Sequence, residues 1–218
     1  MKTYALTLKL LLIFTMGYAQ NNEPGNWLIY FGNLQINEKW NMHHEVQYRN
    51  FNLLGDTEQL LLRSGIGFNL SENNNILIGY GFIYSEPYIV NTTKKTNFNE
   101  HRIFQQFITR QNFNRLTVQH RYRFEQRFIE DDFRLRLRYF IGLNYTLNKT
   151  NQLKNTIYLS AYNELFINTD ENYFDRNRLY GGLGYRFSKN FRVEVGIMNQ
   201  TLSNTSRNQL NMKTFINF

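Results

Sequence analysis

Between residues 115 and 147 apolar and polar positions alternate one by one through two consecutive arms. In the first, RLTVQHRYRFEQRF, Leu116, Val118, His120, Tyr122, Phe124 and Phe128 share one parity, and Thr117, Gln119, Arg121, Arg123, Glu125 and Arg127 hold the other. In the second, FRLRLRYFIGLNYTL, Phe133, Leu135, Leu137, Tyr139, Ile141, Leu143 and Tyr145 oppose Arg134, Arg136, Arg138, Asn144 and Thr146. Side chains of an extended chain point alternately to its two sides, so each arm is a strand with one oily and one charged face. The arms run about fourteen residues, against about 5–6 for an ordinary strand. Such a hairpin must keep its oily face from water and its arginines from hydrocarbon. A closed transmembrane barrel does both, because about 9–11 tilted residues span the bilayer and closure pairs every backbone amide. The oily parity then faces lipid and the charged parity a polar lumen.

The same period recurs along most of the chain. Trp40, Met42, His44, Val46 and Tyr48 oppose Asn41, His43, Glu45, Gln47 and Arg49; Leu60, Leu62, Ile66 and Phe68 oppose Gln59, Arg63, Gly65 and Gly67. Similar strands are predicted around residues 76–84, 157–167, 176–187, 191–200 and 209–218, whereas EHRIFQQFITR at 100–110 has no cleanly apolar parity. Short turns after Gln35, Leu70, Arg110, Leu147 and Phe187 fall at one end, which barrels keep in the periplasm, and so put the C-terminus there. The expected fold is all-β: an antiparallel up-and-down transmembrane barrel of ten strands beginning at Trp40, with twelve as the alternative, because single-chain bacterial barrels carry even numbers. Residues 20–38, including the strand-like stretch at 27–35, are then expected at the periplasmic rim or folded into the lumen.

The first residues, MKTYALTLKLLLIFTMGYAQ, combine Lys2 and Lys9, a short apolar run, and small residues at Gly17 and Ala19, which predicts a secretory signal at 1–19 and a single mature domain at 20–218. Mean hydropathy is −0.53, but alternation averages to nothing in a hydropathy window. Aromatics make up 17% of the chain, and its two prolines, Pro24 and Pro87, lie outside every predicted strand, as continuous pairing requires. Cys 0 removes disulfides and thiol chemistry. The net charge of +8 would suit nucleic acid, but arginines at every second position in an exported chain point elsewhere. A water-soluble alternative, a lipocalin-like barrel or β-sandwich, would use the aromatic parity as its core.

The main candidate site is the inward charge set: Arg49, Arg63, Arg121, Arg123, Arg127, Arg134, Arg136, Arg138, Arg178, Arg186 and Arg192, with Glu45, Glu125, Glu164 and Glu194. A ten-strand barrel is little wider than the eight-strand size that side chains fill, and arginine forks pair well with carboxylates, so this set is expected to plug the lumen. The surplus of arginine supports the alternative of a small anion-selective pore. A further alternative is a lipid-modifying enzyme, which needs a serine beside a histidine base. The residues two beyond His43, His44, His101 and His120 are not serine, leaving Ser64, Ser85 and Ser160 for a cross-strand pair, and no catalytic residue is assigned. His43 with Glu45 and His101 with Glu100 lack metal-site spacing, and His43 and His44 point to opposite faces. No metal or cofactor is expected. Lys94 and Lys95, in the connection at 86–99, are candidates for meeting lipopolysaccharide phosphates.

The strings EHRIFQQ, HRYRFEQRF, RLRYF, YNELF, DRNRLYGGLGY and VEVGIMNQ, with KWNMHHEVQYR, resemble the DUF2490 family of uncharacterised Gram-negative outer-membrane β-barrel proteins, over nearly the whole mature chain. The resemblance implies that fold and location and carries over no catalytic residue. The terminal Phe218 resembles the aromatic end that barrel-assembly machinery reads. Outer-membrane lipid and lipopolysaccharide are the other implied partners.

Overall fold

A computed structural model describes residues 24–53, 55–148, 154–170 and 172–218. The secretory signal read at 1–19 and part of the turn at 148–154 lie outside them. The described residues form eleven strands: β1 (Gly25–Gln35), β2 (Trp40–Asn50), β3 (Thr57–Asn69), β4 (Asn74–Ser85), β5 (Phe98–Phe113), β6 (Leu116–Ile129), β7 (Asp132–Thr146), β8 (Thr156–Asn168), β9 (Phe174–Arg186), β10 (Phe191–Thr201) and β11 (Ser206–Asn217). Each pairs antiparallel with its neighbour in sequence, and β1 closes the barrel by pairing with β11.

That closure corrects two expectations. The wall has eleven strands rather than ten or twelve, and one seam is parallel, running from Gly25 beside Gln209 to Asn33 beside Asn217. Residues 27–35 lie neither at a rim nor inside the lumen: β1 is bonded on both sides, to β2 and to β11. The reason is its sequence. Leu28 and Leu34 are exposed outward while Trp27, Ile29 and Phe31 face inward, where Trp27 and Ile29 pack with Tyr180 and Met198. A strand apolar on both faces has no charged face to hold in water, and it fills the barrel from within.

Elsewhere the observed parity follows the alternation. Inward side chains pack closely: Leu61, Ile83, Glu125, Met198, Gln209 and Asn211 expose 0% of their surface, and Phe104 and Phe166 1%. Two glycines make room for this packing. A Cβ at Gly184 would overlap the Tyr158 ring, and one at Gly79 the ring of Phe104. The outer face is covered by exposed Leu62, Ile78, Tyr122, Leu137, Leu179 and Leu183 among others, and a groove of about 920 Å³ lined by such residues as Trp40, Ile66, Phe107 and Leu137 crosses it.

Outward polar groups come in cross-strand pairs. Tyr30 meets His44 at 2.8 Å, Tyr80 meets His101 at 2.5 Å, and Tyr139 meets His120 at 2.9 Å. Gln105 and Gln126 bond reciprocally, as do Asn163 and Asn177, and Asn199 donates to Asn208. His101 and Gln105 sit on β5, which is why that strand showed no clean apolar parity.

Candidate functional site

The hairpin of β6 and β7 sets its charged faces side by side, with Glu125 opposite Arg136 and Arg123 opposite Arg138 in register. Glu125 accepts from Arg136 at 3.0 and 2.6 Å and from Arg138 at 2.6 Å, and lies 3.5 Å from Arg123. Arg138 also donates to Glu164 on β8 at 2.5 Å, and Arg121 reaches the same carboxylate at 2.6 Å. Arg136 extends the chain to Asp175 at 2.7 Å, where Arg176 also bonds. Charges alternate along this ladder, and every carboxylate in it has at least two guanidinium partners.

Two smaller sets flank it. Glu45 holds Arg63 at 3.1 Å, with His43 3.7 Å away. Glu194 holds Lys213 at 2.7 Å and accepts from Tyr158 at 3.3 Å. Near the opposite end, Glu100 binds Arg102 and Arg127 through both carboxylate oxygens.

Several of the lumen arginines lie on aromatic rings. Arg49 stacks 3.8 Å and Arg178 4.8 Å from the centroid of Trp27; Arg178 also lies 4.6 Å from Phe166. Their remaining donors go to amides: Arg49 to Gln47 and Gln59, and Arg178 to Gln200. Arg123 lies 4.6 Å over Phe104 and donates to Gln106 at 2.7 Å. Guanidinium groups are weakly hydrated and stack on ring faces, so Arg49 and Arg178 are held without a carboxylate partner among the described residues.

One member of the predicted set falls outside the lumen. Arg134 has the inward parity but sits at the start of β7, where its side chain is 49% exposed and pairs only with Asp132. Arg186 and Arg192 face inward near the other mouth and join no ion pair among the described residues. Sequence reasoning missed Glu100 and Arg102, whose parity was masked by the paired polar groups on the outside of β5. It also missed Asp175. Counting by twos turns that residue outward, but the register between β8 and β9 shifts there, and the extra residue of the bulge points its carboxylate inward.

The remaining candidates are spread out. His43 is inward beside Glu45, whereas His44, His101 and His120 face outward onto tyrosines. Ser85 accepts from Gln59 at 2.7 Å, Ser160 is buried in the lumen, and Ser64 donates to the His43 carbonyl. No serine hydroxyl meets a histidine ring among the described residues, and no group of three potential ligands that could hold a metal is present among them.

Of the two loop lysines, Lys95 is engaged. It pairs with Asp56, donates to the Thr57 carbonyl at 2.6 Å and lies near Glu86, tying the connection after β4 to that after β2. Burial works against the Asp56 charge, yet the bonds from Lys95 and Tyr88 hold its carboxyl below the usual range. Lys94 alone is left exposed toward solvent. Phe218 is 60% exposed on the outer face, stacked on His44, with its amide bonded to Asn33 across the seam.

No curated protein and no solved structure matches the chain. A family model described as "Protein of unknown function (DUF2490)" matches residues 24–211, from just before β1 into β11. The match spans almost the entire barrel, and the chain belongs to that family.

Proposed function

We propose that this chain is an exported outer-membrane β-barrel with a sealed lumen, a membrane-embedded structural or binding protein rather than an open pore. The observation that carries the reading is an inverted partition. Charged groups are buried, Glu125 at 0% and Arg123 at 3%, while Leu179 and Ile78 stand 60% and 58% exposed. A water-soluble monomer rarely exposes contiguous apolar patches beyond about 300–600 Å². The pairing of outward histidine, glutamine and asparagine side chains with one another fits the same reading, because hydrocarbon offers no water to satisfy them. Lipid and lipopolysaccharide would surround the wall, and barrel-assembly machinery would read the exposed Phe218.

Sealing rests on the fully buried inward residues, since a conducting lumen leaves its lining side chains accessible to water. In planar bilayers the inserted protein is expected to give no steady current; a stable anion-selective conductance would instead support the pore. Membrane embedding has its own test. Leu183 lies outward between Leu159 and Val195 at 52% exposure. Leu183→Arg is expected to cost about 2–4 kcal/mol in lipid, most at mid-bilayer, but within about 0.5 kcal/mol if the face is wet. Urea unfolding in liposomes measures it, and a neutral effect would count against the membrane reading.

A further inference from the structure

The two ends of the barrel differ in charge. Asp56, Glu58, Glu86, Glu130, Asp131 and Asp132 outnumber Lys94, Lys95 and Arg207 where β2, β4 and β6 end, whereas Lys39, Arg115, Lys154 and Lys189 outnumber Glu38 and Glu72 in the turns at the opposite end. Inside that basic end the sealed packing gives way to half-exposed side chains. Arg186 and Arg192 are register partners on β9 and β10, both pointing inward, and like charges directly opposite one another repel. Arg192 lies 4.0 Å over the Phe215 ring and 5.9 Å from that of Tyr158. The Nε of Arg186 has no partner among the described residues. Arg110, on β5 in the facing wall, donates to Gln119 at 2.9 Å and lies within electrostatic reach of Arg192.

Neither resolution used elsewhere in the lumen is complete here. Glu194, two residues from Arg192 on β10, pairs with Lys213 and lies within electrostatic reach of Arg192 without an ion pair to it, and the two acids on the turns, Glu38 and Glu72, form no ion pair among the described residues. With the lumen sealed as proposed above, an anion entering this mouth meets a floor and not a passage. The geometry points to a blind oxyanion-binding cup at this end, in which Arg186, Arg192 and Arg110 hold a phosphate-class anion, with the Arg192 guanidinium backed by the Phe215 ring. Guanidinium forks match the oxygens of a tetrahedral oxyanion, and the basic rim raises its local concentration. The cup does not depend on the membrane reading, since a barrel in water would present the same groups.

Calorimetric titration of the full-length barrel in zwitterionic micelles tests this, with inorganic phosphate in one arm and dihexanoyl phosphatidylglycerol in the other. Saturable binding at about one site per barrel is expected, weakened at least roughly tenfold in Arg186→Gln/Arg192→Gln, since each charge-assisted bond is worth about that much. Arg134→Gln, at the far end, should leave it unchanged. If the double variant does not refold, Arg110→Gln carries the test, because that side chain is exposed and belongs to no ion pair among the described residues; a several-fold loss is expected. Tighter binding of the phospholipid identifies a headgroup as the natural occupant, and equal or tighter binding of phosphate a free anion. Absence of saturation in both arms overturns the proposal, as does an equal loss in Arg134→Gln.

Discussion

Replacing Glu125 by glutamine is expected to destabilise the barrel by about 3–5 kcal/mol, the usual cost of removing one partner from a buried ionic set. The substitution keeps the shape and removes the charge that Arg136 and Arg138 donate to at 2.6 Å and that Arg123 faces at 3.5 Å. All three guanidinium groups are buried, so none can turn to water. The midpoint of urea unfolding of the refolded protein measures the loss. Arg134→Gln is the control, since its pair with Asp132 is half exposed and worth at most about 1 kcal/mol. Adding Arg136→Met to Glu125→Gln should restore part of the stability by removing one stranded cation. Equal midpoints for the two single variants would show that the ladder does not hold the wall together.

Trp27→Ala should be of similar size, about 3–5 kcal/mol for emptying a large aromatic site. The indole is 2% exposed, packs with Ile29, Tyr180 and Met198, and carries Arg49 and Arg178 on its ring. Its loss leaves a cavity, strips Arg49 of its ring and leaves Arg178 with Phe166. The neighbouring Leu28 points outward and is exposed, so Leu28→Ala should cost much less. Comparing the two in the same unfolding assay tests where β1 sits. If both are mild, the first strand is not part of the wall.

The alternation identified which face of nearly every strand turns inward, because a period of two is a local property that neighbours cannot alter without a bulge. It succeeded for Arg121, Arg123, Glu125 and Arg127, whose strand is regular over its full length. It could not place β1, where both parities are apolar and nothing local says which neighbour completes it. The odd count follows from contacts between residues 25–33 and 209–217, a separation no periodicity reaches. Asp175 escaped because one extra residue in β9 inverts the parity behind it. Where the surplus arginines go was also illegible. Their resting places on Trp27, Phe104 and Phe166 require knowing which strands face each other across the lumen.

The parallel seam bears on how the molecule comes together. Trp27 and Phe31 acquire their neighbours on one side only when Asn211 and Phe215 arrive, so the first strand made must wait for the last. Such distant partnerships are slow to form, because a long loop has to close before any contact rewards it. Meanwhile the waiting segment is greasy on both sides and carries unpaired amides along one edge, an invitation to clump. Until β11 is in place, β1 is therefore the strand of the newly made chain most open to mispairing.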